Sequence, residues 1–113
     1  MDIDSELRGN VRLLTLREAR IDAAGSMAFK EKVRTLIEDH EGPVVIDMDR
    51  VEFLDSSGLG ALVAVMKMLG RNRSLELACC GPVVGKVLTL TRMDRIFVLH
   101  NDVEAAVSAR DAA

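Results

Sequence analysis

The sequence has no tryptophan and no tyrosine, and three phenylalanines hold its aromatic content to 3% of 113 residues. Aromatic platforms of the kind that stack single-stranded nucleic acid are therefore missing, and the core has to be packed from Val, Leu, Ile, Ala and Met. Cations are also in short supply. Fifteen Lys and Arg against 18 Asp and Glu leave a net charge of −3, with no long basic run, so counterion release gives DNA little to bind. No apolar run approaches the ~20 residues that span a bilayer. The acidic opening Met1-Asp2-Ile3-Asp4-Ser5-Glu6 lacks the basic and apolar regions of a signal peptide. The expectation is a soluble, cytoplasmic protein with no direct nucleic-acid partner and no membrane partner.

Only two cysteines occur, Cys79 and Cys80, and neighbours in sequence cannot reach ordinary disulfide geometry without straining the peptide between them. They are expected to be buried thiols at the end of a strand. A zinc site would need partners at ligand spacing, and His40 and His100 lie far away in sequence, so no metal and no cofactor is expected.

What the chain does have is 49% apolar residues, arranged with clear periodicity. One domain over residues 1–110 is expected, too small to hold a separate catalytic unit. An extended segment, the turn Arg8-Gly9-Asn10 and the strand Val11 to Leu16 predict an opening hairpin. Phe29, Val33, Leu36 and Ile37 fall on one face of a helix that Gly42-Pro43 stops. Val44 to Met48 reads as a strand covered on both faces, followed by a helix from about Ser57 to Leu69 whose only charge is Lys67. One side of that helix should pack on a sheet and the other should meet a helix or a partner, which leaves a homodimer open. Gly70 ends it, with Arg71 and Arg73 where cations complement the helix dipole.

Leu75 to Cys79 is expected as a strand, Pro82 to about Thr91 as a helix, Ile96 to Leu99 as the last strand and Asp102 to about Ala109 as a final helix, with Arg110 to Ala113 fraying. The order β-β-α-β-α-β-α-β-α implies an α/β fold: a mixed sheet with parallel pairs and helices packed against it.

Two catalytic readings fail. Gly81-Pro82-Val83-Val84-Gly85-Lys86-Val87 has three residues between its glycines where a phosphate-binding loop needs four, and Val87 stands where a magnesium-binding hydroxyl is required. Ser56, Asp94 and His100 follow the chain order of an α/β-hydrolase triad, but Leu54 occupies the first glycine position of the nucleophile elbow. No catalytic residue is assigned.

The most informative segment is Asp55-Ser56-Ser57-Gly58-Leu59-Gly60, between a strand-like run and the apolar helix. Free N–H groups and the positive end of the helix dipole favour an added anion at that place, so a phosphate on either serine would be tolerated. Taken locally, Asp and Ser there are better explained as N-caps. The run Val44-Val45-Ile46-Asp47-Met48-Asp49-Arg50-Val51-Glu52-Phe53-Leu54-Asp55-Ser56-Ser57-Gly58-Leu59-Gly60 resembles the signature of bacterial anti-sigma-factor antagonists, the stand-alone members of the STAS superfamily.

That resemblance implies a STAS-like domain that binds an anti-sigma factor, usually a serine kinase, and so frees a sigma factor for transcription. It implies phosphorylation at Ser56, directly after the motif aspartate, as the off switch, and a partner-binding surface of Asp22, Asp55, Ser57, Gly58, Leu59 and Gly60. The glycines are expected to keep that surface flat for a docking kinase, which supplies its own magnesium and ATP. Asp22 could equally cap the first helix. Two positions depart from the family pattern. Ala19 stands where a glycine is common, and Arg92 replaces the glycine that ends the third helix, so Arg92 must adopt a left-handed conformation at a cost of ~1 kcal/mol or end the helix differently. The alternative is a STAS subunit of another assembly, a stressosome-like scaffold or a lipid-transport ATPase accessory protein, acting by protein–protein binding.

Overall fold

A computed structural model describes residues 1–110. Strands β1 (Ile3–Arg8) and β2 (Val11–Leu16) form the expected hairpin, turning at Gly9 with φ 63°. With β4 (Val44–Asp47), β6 (Leu75–Ala78) and β7 (Val98–His100) they make a five-stranded sheet in the order β1-β2-β4-β6-β7. Only the hairpin is antiparallel; the other three pairings are parallel. Each parallel pair needs a crossover, which helices α1 (Ser26–Ile37), α2 (Ser56–Leu69) and α3 (Pro82–Leu90) supply.

Strand residues alternate between two apolar layers. Leu14, Leu16, Val44, Ile46, Leu75 and Leu77 point into the main core with Phe29 and Val33 of α1, Leu62 and Val65 of α2, and Val84 and Leu88 of α3. Val11, Leu13, Val45 and Ala78 face the other way, under Ala106 and Val107 of α4 (Val103–Arg110). That explains why β4 reads as continuously apolar: both its faces are covered. Helix α1 packs along α2, the helix-on-helix contact that the apolar character of α2 called for.

The structure differs from the sequence reading in several places. Two strands of two residues each, β3 (Arg20–Ile21) and β5 (Phe53–Leu54), pair in parallel outside the main sheet. They are too short for a period to register. Strand β6 ends at Ala78, because Cys79 takes φ 63°. The last strand begins at Val98 instead of Ile96, since Ile96 and Phe97 both donate to the Met93 carbonyl in a 3₁₀ turn, Met93–Arg95. Arg110 closes α4 and pairs with Glu76 at 2.5 Å, so it is not part of a frayed tail, and the rest of that expectation falls on residues 111–113, outside the described ones. Arg92 takes the left-handed alternative, with φ 62° and ψ 18°, at the end of α3.

Candidate functional site

Strand β5 delivers the chain to Asp55, which is extended (φ −99°, ψ −173°) and caps α2. Its Oδ1 accepts from the Gly58 N–H at 2.9 Å, and its Oδ2 accepts from the Ala23 N–H at 3.2 Å. One carboxylate therefore ties the start of α2 to the loop that follows β3. Asp22 organises that loop from within. Its carbonyl accepts from Gly25 (3.1 Å) and Ser26 (2.8 Å), and its Oδ1 also accepts from Gly25 at 3.3 Å. Asp22 thus holds the turn that leads into α1, whose own N-cap, Gly25, makes no side-chain bond.

The expected site residues do converge, in different roles. Ser56 and Ser57 are exposed on the first turn of α2, and Gly60 is exposed one turn later. Ser57 lines a cleft of about 260 Å³ between α1 and α2 with Ser26, Met27, Lys30, Gly60 and Ala61. Leu59 is half-buried against the main core.

Gly58 has a packing role that the sequence reading did not assign. It is buried, and a Cβ there would lie 2.1 Å from the Ile21 carbonyl oxygen and 2.7 Å from Leu54 Cδ1. Its smallness serves the packing of α2 on β3. A Cβ at Gly60 would meet nothing within 4 Å, which leaves that position open to the surroundings.

Arg20 and Phe53 belong to the same surface and carried no role in the sequence reading. They are direct partners across β3 and β5, with the Arg20 guanidinium 5.7 Å from the ring centre of Phe53, which is 42% exposed. Arg20 also pairs with Asp22 at 3.7 Å. The available signal was spacing: Arg20 precedes Asp22 by as many positions as Phe53 precedes Asp55.

His100 lies elsewhere. Its Nε2 is 2.7 Å from Glu76 Oε1, and it lines a cleft with Asp94 and Cys80 that Ser56 does not join. Burial pushes the Cys79 thiol up, and burial with the neighbouring Cys79 pushes Cys80 up to about 11. Neither is activated for thiolate chemistry. Among the described residues no cluster of three or more His, Cys, Asp or Glu is placed to hold a metal, and no helix is long and apolar enough to cross a membrane.

Residues 2–106 match the STAS domain family. The chain is 28% identical over 88 residues to the anti-sigma-F factor antagonist RsfB of Mycobacterium tuberculosis, covering 78% of this chain and 72% of that protein. An anti-sigma factor antagonist from Mycobacterium paratuberculosis superposes with a TM-score of 0.87 at 26% identity, over 98% of this chain and 94% of the other. The antagonist SpoIIAA is alike in fold in its unphosphorylated form, with a TM-score of 0.75 at 21% identity over 99% of both chains. The phosphorylated form of the Bacillus protein gives 0.67 at 20% identity, over 96% of this chain and all (100%) of that one. A serine loop pinned by its own aspartate, on a mixed sheet that superposes with these antagonists, agrees with the match over nearly the whole sequence: the chain belongs to the STAS domain family.

Proposed function

We propose that this protein is an anti-sigma-factor antagonist that binds an anti-sigma factor with serine-kinase activity, and that phosphate on Ser56 releases it. The observation that carries the reading is the exposed Ser56 hydroxyl on the first turn of α2, in a loop whose conformation Asp55 holds from both sides. A kinase can reach that hydroxyl without unfolding anything. The amide ends and dipole of α2 favour the resulting dianion. Around it, Asp22, Arg20, Phe53, Ser57 and Gly60 form a mixed polar and apolar surface suited to a protein partner. RsfB and SpoIIAA bring the antagonist role to this chain by relationship, and the existence of a phosphorylated SpoIIAA supports the switch.

Each oxygen of Asp55 accepts from a backbone amide, so its part in phosphate transfer is to orient the loop. The kinase provides the base, the magnesium and the ATP. Incubation with a candidate kinase partner and magnesium ATP, followed by mass-spectrometric mapping, should add one phosphate at Ser56. Modification confined to Ser57, or none at all, would sink the assignment.

A further inference from the structure

The opposite end of α2 carries a second cleft. Gly70 closes the helix there, and a cavity of about 370 Å³ opens beside it, lined by Met66, Lys67, Arg71, Arg73, Ser74 and Ile96. No carboxylate lines it, although Asp and Glu outnumber Lys and Arg in the chain, 18 to 15. The side chains of Lys67 and Arg71 make no hydrogen bond or ion pair among the described residues. Arg73 is fixed in place: its Nε donates to the Leu69 carbonyl at 3.2 Å, and its Nη1 donates to the carbonyls of His40 (2.7 Å) and Gly42 (3.1 Å).

The same cavity also has an apolar lining, Ile96 and Met66. Ile96 is 47% exposed, held outward by the 3₁₀ turn that the left-handed Arg92 begins, and Met66 is half-buried beside it. Complementing the α2 dipole accounts for cations near its end but does not require a cavity with an aliphatic side. Three cations, one of them preorganised, and apolar side chains lining one volume of ligand size are the components of a small-molecule site. No aromatic ring is present to stack a nucleobase.

The geometry points to a binding site for a small anion, phosphate or carboxylate, that carries a short aliphatic part. The anionic group sits between Lys67 and Arg71 with Arg73 behind, and the aliphatic part lies on Ile96 and Met66. At 1.5 Å per residue the site is about 20 Å from Ser56 along α2, so its ligand does not touch the serine loop.

The test uses the full chain, with backbone amide chemical shifts followed during titration with octyl phosphate below its micelle concentration, inorganic phosphate or octanol. Octyl phosphate should shift Gly70, Arg71, Ser74 and Ile96 with half-saturation below ~1 mM, at least ~10-fold tighter than either fragment. The double substitution Lys67→Gln with Arg71→Gln should weaken it ~10-fold or more. Ile96→Ser should weaken octyl phosphate while leaving inorganic phosphate unchanged. Both sets of substitutions lie at the surface, and Ser56→Ala serves as a control that leaves the titration unaltered. Binding also to phosphatidylcholine vesicles containing phosphatidic acid, lost in the double variant, would identify a lipid headgroup as the source of the anion, and binding of octyl phosphate alone would identify a free solute. Shifts absent at several-fold higher concentration, shifts centred elsewhere, or affinity unchanged in both variants would overturn the site.

Discussion

Asp55 Oδ2 accepts a hydrogen bond from the backbone N–H of Ala23, 32 residues earlier in the chain, while Oδ1 of the same side chain caps α2 through Gly58. The two loops that make up the candidate surface are thereby held at one separation. Asp55→Ala removes a cap and a long-range bond, each worth ~1 kcal/mol, so a loss of ~1–2 kcal/mol is expected in urea unfolding. Hydrogen exchange should accelerate at Ala23 and Gly58 together. Acceleration at Gly58 alone would show that the loops are not coupled through this carboxylate.

Two glycines of α2 separate packing from propensity. Gly58→Ala drives a methyl group onto the Ile21 carbonyl and should cost ~1–3 kcal/mol or more, outweighing its gain in helix propensity. Gly60→Ala meets no neighbour and should stabilise by ~0.5–1 kcal/mol. Paired thermal melts check both signs, and equal shifts would refute the packing account.

At Ser56 the expected outcome is a separation of binding from folding. A phosphate or its Asp mimic gains ~0.3–1 kcal/mol from the α2 dipole, partly cancelled by repulsion from Asp55, so Ser56→Asp and Ser56→Ala should melt within a few degrees of each other. At a docked interface the buried charge costs several kcal/mol unless a cation faces it. A loss of ~3–5 kcal/mol corresponds to roughly 10²- to 10⁴-fold weaker kinase binding for the Asp variant by calorimetry. Equal affinities would remove the switch while leaving the fold assignment intact.

Glu76 is 2% exposed on β6 and receives His100 on one oxygen and Arg110 on the other. The pair with Arg110 fastens the last turn of α4 to the sheet. Glu76→Ala should cost ~1.5–3 kcal/mol for the lost hydrogen bond with His100 and ion pair with Arg110, and amide protection should fall first in α4. Unchanged protection there would mean that Ala106 and Val107 hold the helix unaided.

Cys80, with its thiol pushed up to about 11, should react slowly with a thiol reagent near pH 7.5 and faster as the pH climbs toward that value. Because the fold favours the neutral thiol, the stability linked to it is fully present below about pH 8.5 and is lost as the pH rises from there to about 11. Cys80→Ala should flatten that alkaline slope in urea titrations at successive pH values. A slope identical to the parent's would assign it to other groups.

The local patterns were legible because helices and strands of ordinary length repeat their apolar positions often enough to show a period, as Phe29, Val33 and Ile37 do in α1. Asp55-Ser56-Ser57-Gly58-Leu59-Gly60 could likewise be placed at the start of a helix from the cap chemistry of Asp and Ser and the apolar run behind them. By itself, then, the sequence determined the order of the main-sheet strands and the helices, the crossovers and the position of the serine loop. It could not show that Gly58 is small because Ile21 lies against it, that Asp55 reaches Ala23, or that Arg20 lies over Phe53. Those contacts join residues about thirty or more positions apart through two strands of two residues each, too short to leave a period. Nor could it show that Glu76, a charged residue in the middle of a strand, would find His100 and Arg110 waiting for it. Burial of a carboxylate is tolerable only when its partners arrive from other elements, and which elements arrive is decided by the packing of the whole chain.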